Sequence, residues 1–159
     1  MTEYLEIGHM EEIKDNVTTM PIFYLPHHAV IKSSSLTTKV RVVFDASAKG
    51  SNSIALNDVF MRGPGIQEDL FSILSRFRKH QIVITIDIEK MFKRVEVAKE
   101  YRGLQRIVWR KHSREVLRKY QLNTVTYGTT PASFMTTKCL DELARENEVL
   151  KSFQMHPKR

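Results

Sequence analysis

Cysteine is almost missing from this chain: among 159 residues there is only Cys139. One thiol allows neither an intrachain disulfide nor a cysteine-based zinc site. It fits a reducing, intracellular compartment, cytoplasm or nucleus. Long apolar runs are missing too. No segment approaches the roughly 20 residues of a membrane-spanning helix, so no membrane partner is expected. Met1 to Met10 carries Glu3 and Glu6 and has no apolar stretch of the kind a secretory leader needs. Asn16-Val17-Thr18 then reads as a chance match to a glycosylation acceptor. There is no P-loop, no dinucleotide-binding glycine turn, no nucleophile elbow, no internal repeat and no low-complexity tract. His27 and His28 are adjacent, so in a strand they face opposite ways, and no other His or Cys stands at ligand spacing from them. Acid is the minority charge. With 18 Asp and Glu against 25 Lys and Arg, the formal charge is +7. That balance suits a polyanionic partner, although the basic residues are spread along the chain rather than gathered in one tail.

What is present is enough for one core, with 42% hydrophobic and 27% charged residues. Residues 1–20 read as a helix remnant running into a loop, anchored by Tyr4, Leu5 and Ile7. Pro21 and Pro26 enclose an extended segment. His28–Lys32 and Val40–Phe44 are spaced as a β-hairpin with a polar, basic tip. After the breaker Gly63-Pro64-Gly65, residues Ile66, Leu70, Ile73, Leu74 and Phe77 recur at helical spacing, with acid early and base late. Ile82 to Ile88 is a β-branched run ending in Asp87 and reads as a buried strand. Leu104–Arg110 and Val116–Val125 form a second antiparallel pair, and a helix with Met135, Cys139 and Leu143 on its apolar face runs from Ser133 to about Leu150. The tail, 151–159, loses the periodicity. The order predicts an α+β fold with an antiparallel sheet and helices packed on one face.

Several residues allow two readings. Asp87 is either a strand-end aspartate that caps a turn or pairs with Lys90, or an oxygen ligand for a hard divalent cation. Arg41, with Lys32 and Lys39 on the same hairpin, is either a solvated edge face that discourages strand pairing or a cationic arm for a polyphosphate. Phe92, five residues on from Asp87, reads by itself as a core aromatic. Tyr127-Gly128 is either a loop that needs glycine or an aromatic plate beside a nucleotide. Cys139 is a core residue without a catalytic partner.

Several ordered blocks carry a resemblance. They are Tyr24-Leu25-Pro26-His27-His28-Ala29-Val30, Val40-Arg41-Val42-Val43-Phe44-Asp45-Ala46-Ser47, Leu56-Asn57-Asp58-Val59, Gly63-Pro64, Asp69-Leu70-Phe71-Ser72-Ile73-Leu74, Asp87-Ile88-Glu89-Lys90-Met91-Phe92 and Leu122-Asn123-Thr124-Val125-Thr126-Tyr127-Gly128-Thr129. Together, from about Tyr4 to Glu148, they resemble the reverse transcriptase of Pao/BEL-type long-terminal-repeat retrotransposons.

The resemblance implies an incomplete right-hand polymerase: residues 1–20 as an N-terminal remnant, 21–150 as fingers plus part of the palm, and 151–159 as a tail. It implies RNA or DNA primer–template and deoxynucleotides as partners. The chemistry would be nucleotidyl transfer at two magnesium ions roughly 3.5–4 Å apart. Asp87 would be the first metal aspartate and the carbonyl of Ile88 a further ligand. Phe92 would be the ring that a ribose 2′-hydroxyl strikes. Arg41, with Lys32 or Lys39, would hold the triphosphate, and Tyr127 and Gly128 would line the nucleotide pocket. The tyrosine-x-aspartate-aspartate hairpin of that family is not in this sequence, and Asp141 is the only aspartate after Asp87. The expectation is therefore a catalytically incomplete fragment, or a retroelement remnant that binds nucleic acid without catalysis. Pro131 stands where relatives carry a small polar residue.

Overall fold

The computed structural model describes residues 1–14, 21–34 and 40–147. Among them the chain forms α1 (Thr2–Glu6), β1 (Met10–Glu12), β2 (His27–Ile31), β3 (Val40–Phe44), α2 (Leu56–Val59), α3 (Leu70–Lys79), β4 (Arg106–Trp109), β5 (Arg118–Leu122) and α4 (Ala132–Glu146). Two 3₁₀ helices, Met91–Arg94 and Lys99–Gln105, lie between α3 and β4. The fold is α+β with two small antiparallel sheets.

The first sheet has the order β1-β5-β4. Met10 pairs with Leu122 and Ile107 with Tyr120. The alternation of β5, with Tyr120 and Leu122 buried and Arg118 and Lys119 exposed at its start, follows from a strand with one wet face. The second sheet is the β2–β3 hairpin, in register from His27↔Phe44 to Ile31↔Val40. The proline-bounded segment before β2 is extended and joins the two sheets. Leu25 N donates to Arg106 O at 2.8 Å, and Arg106 N donates to Phe23 O at 3.0 Å. The core, Tyr4, Met10, Leu25, Phe44, Ala46, Leu56, Ile107, Tyr120 and Leu122, sits where the sheets, α1 and α2 meet.

Three expectations are corrected. Ile82–Ile88 is not a buried strand: it has no regular secondary structure and is exposed, with Ile82, Ile84 and Ile86 at 83, 80 and 87%. A β-branched run becomes a strand only when a neighbour takes its ladder hydrogen bonds. No described strand pairs with this one. The helices also do not share a packed face. α3 has no buried residue, so its amphipathic pattern meets no sheet, and α4 buries only Ala132 and Thr136. Cys139 is half-buried rather than core.

The rest are shifts of boundary and one unforeseen element. α3 begins at Leu70, because Asp69 caps it by accepting from Ser72 N at 3.0 Å. β1 was unforeseen: three residues, Met10–Glu12, carry no period of their own and are strand only because β5 pairs with them. Pro131 takes the N-cap position of α4, where its missing N–H costs nothing. The expected end of α4 at Leu150 lies outside the described residues.

Candidate functional site

The tightest part of the candidate site is the corner at Tyr127–Gly128. Gly128 adopts φ +93°, and a Cβ there would stand 2.5 Å from the carbonyl oxygen of Phe44. Only glycine allows the loop to lie this close to β3. Tyr127 is half-buried. Its hydroxyl donates to the carbonyl oxygen of Val42 and accepts from the Tyr4 hydroxyl at 3.1 Å. Its ring packs 5.8 Å from Phe44 and, edge-on, 6.5 Å from Phe92. From the other side Asn57 clamps the turn. Its amide donates to Gly128 O at 3.0 Å and to Ser47 Oγ at 2.9 Å, and its oxygen accepts from Thr130 N at 2.8 Å. The corner is thus held by β3, α1 and α2 at once. The Tyr127 hydroxyl is fully engaged there.

Phe92 reaches this corner from the 3₁₀ helix Met91–Arg94. The turn into that helix is set by Lys90, which takes a left-handed φ of +55°. Lys90 Nζ donates to Glu3 Oε1 at 2.8 Å, and this contact holds the Glu3 carboxyl below its usual range. Lys90 therefore pairs with Glu3 and, at 3.8 Å, Glu89; Asp87 is not its partner. Next to it, Lys93 places its ammonium 3.6 Å over the Tyr4 ring, and burial lowers its pKa. Burial, and then the Tyr127 hydrogen bond, raise the pKa of Tyr4.

Asp87 is exposed, and the carbonyl of Ile88 accepts Met91 N at 3.3 Å. Among the described residues no group of three His, Cys, Asp or Glu side chains could hold a metal ion. One carboxylate and one carbonyl are too few for the octahedral shell that magnesium demands. These residues by themselves do not fit a two-ion site.

The basic arm stands apart. Strand alternation puts Arg41 on the opposite face of the hairpin from Phe44, and so away from the Tyr127 ring. Both Arg41 and Lys32 are exposed; Lys39 lies outside the described residues. The structure thus brings together Phe92, Tyr127 and Gly128, and leaves Asp87, Arg41 and Lys32 separate from that corner.

The sequence assigned no role to Asn57 or Lys93 and made Tyr4 only an apolar anchor of the first segment; their partners in the corner are distant in the chain. A polar Asn inside the Leu56–Val59 block was the one available signal. It also missed a buried polar layer under β5. His9 bonds through Nδ1 to Thr124 Oγ1, and burial, with Lys93 nearby, pushes its pKa down to about 4. Gln105 Nε2 donates to the carbonyls of Leu122 and Thr124 at 2.7 and 2.9 Å. Beside the 3₁₀ helix an apolar groove of about 620 Å³ runs along α4, lined by Ile88, Met91, Val95, Phe134, Cys139 and Leu143.

No helix among the described residues is long and apolar enough to cross a membrane. No protein-family model matches the chain, and no curated protein is similar to it.

Proposed function

We propose that this chain is the fingers and part of the palm of a Pao/BEL-type reverse transcriptase, the stretch that receives the deoxynucleotide and grips the primer–template. The observation that carries the reading is the Phe92–Tyr127–Gly128 corner. It combines two aromatic edges with a backbone stripped of side chain, which is what a flat base and a sugar need beside them. Phe92 selects against a ribose 2′-hydroxyl by collision. Tyr127 and Gly128 line the base and sugar. Arg41 and Lys32 hold phosphates on the exposed face of the hairpin, where a guanidinium binds two oxygens at once. Asp87 would contribute one carboxylate to a magnesium site whose other ligands the described residues do not supply. Magnesium, when bound in a complete site, supplies charge neutralisation at the transferred phosphoryl group.

A second reading, nucleic-acid binding without catalysis, is favoured because among the described residues no group of three His, Cys, Asp or Glu side chains could hold a metal ion. The formal charge of +7 supports both readings.

The test is fluorescence anisotropy of a labelled RNA–DNA primer–template across a salt series. Binding weakens as salt rises, and Arg41→Ala and Lys32→Ala each lower the salt slope by about 1. Competition with deoxy- and ribonucleoside triphosphates separates the two readings. If the corner is a nucleotide pocket, Phe92→Ala raises ribonucleotide affinity relative to deoxynucleotide by about tenfold. If the chain binds nucleic acid only, neither triphosphate binds at the corner. An absence of primer–template binding at low salt overturns both.

A further inference from the structure

The stretch that departs most from expectation is also the one with unused bonding capacity. No N–H or C=O of residues 81–87 takes part in a backbone hydrogen bond among the described residues. From Ile82 to Ile88 every residue except Asp87 is β-branched, with no glycine and no proline. High β-propensity, low charge and an open backbone together mark a segment that pairs with another strand.

The charges choose the partner and its direction. In a parallel, in-register pair Asp87 would face Asp87, Glu89 would face Glu89 and Lys90 would face Lys90, three like-charge contacts that destabilise a sheet. In an antiparallel pair centred on Thr85, Asp87 faces Val83, Glu89 faces Gln81 and Lys90 faces His80. No two carboxylates and no two lysines meet. The apolar pairs match as well, with Ile82 opposite Ile88 and Ile84 opposite Ile86. We infer that Ile82–Ile88 is a self-association strand, which pairs antiparallel about Thr85 with the same segment of a second copy of this chain. The pairing goes beyond the proposed function and does not rest on it. It leaves the two Asp87 carboxylates four residues apart along the ribbon, roughly 14 Å, too far to share one ion.

Sedimentation equilibrium of the whole chain over about a hundredfold concentration range, and disulfide trapping, test it. The weight-average mass rises from 18.5 kDa to twice that value or more, because the ribbon's outer edges stay open to further copies. Ile84→Lys holds the protein at the monomer mass. Its side chain is exposed, so at concentrations low enough for both proteins to be monomeric its far-UV spectrum and melting temperature match those of the wild type, which separates lost pairing from lost folding. In a Cys139→Ser background, Thr85→Cys gives a disulfide-linked dimer on mild oxidation, since directly opposed residues have Cα atoms within the roughly 4.4–6.8 Å that a disulfide spans. Asp87→Cys alone does not cross-link, and an equal mixture of Val83→Cys and Asp87→Cys does. A monomer at every concentration, as when a different segment is the true partner, overturns the inference. So does association that Ile84→Lys leaves intact, or equal self-linking of single cysteines at 83, 85 and 87.

Discussion

Two regions of this molecule share one composition and differ in what their residues touch. Around Phe44 and Leu122 the apolar and aromatic side chains are buried, and polar groups among them such as Gln105 Nε2 and the Tyr127 hydroxyl are bonded. Between Leu70 and Ile88 the residues are as apolar, yet Leu70, Phe71, Leu74, Ile82, Ile84 and Ile86 are all more than half exposed. Hydrophobic content alone therefore does not make a core. Burial needs two faces, and stabilisation follows the area removed from water. In the first region two sheets supply both faces. In the second, α3 and the β-branched run are left exposed, and no described element covers them.

The difference can be tested by substitution. The largest effect belongs to Phe44→Ala, which leaves a void beside Tyr4, His27 and Tyr127 and costs about 4 kcal/mol of unfolding free energy in urea melts. Gly128→Ala comes next. A methyl placed 2.5 Å from Phe44 O in a left-handed backbone forces β3 and the loop apart, and the loss is about 3 kcal/mol by the same melts.

Acid attacks the same region through His9. Its folded pKa is about 4 against 6.5 for the free side chain. The unfolded chain therefore takes up the proton first. The stability contributed by neutral His9 is complete above about pH 6.5, falls as the pH drops, and is gone below about pH 4. The total is about 3 kcal/mol. Melts at pH 7, 5.5 and 4 of the wild type and of His9→Gln measure it, and the variant shows the shallower dependence. The smallest effect belongs to the uncovered region. Ile84→Ala at low protein concentration changes stability by less than about 0.5 kcal/mol. A loss as large as that of Phe44→Ala would show that Ile84 is buried in solution and would break the comparison.

Much of the local architecture was legible in the residues. The β2–β3 hairpin, the β4–β5 pair and the helix after Tyr127-Gly128 follow from alternation, turn residues and helical spacing, because each depends on neighbours in the chain. Gly128 was legible as a position requiring glycine, though the close approach to Phe44 O that demands it was not. β1 was illegible, since Met10–Glu12 becomes strand only through β5. Asn57 was quoted within a block of resemblance, but its bonds to Ser47, Gly128 and Thr130 belong to the tertiary arrangement.

The run from Ile82 to Phe92 shows where the boundary lies. Its residue types determined a β-prone backbone, a carboxylate near its end and an aromatic ring just beyond. The tertiary structure decided that Phe92 meets Tyr127, that Lys90 is drawn to Glu3, and that the strand-like run lies open with Asp87 at its tip. The reason is physical. Backbone preference is a property of each residue and its neighbours, whereas a hydrogen-bond ladder, a buried face and a ligand set need a second segment in the right place.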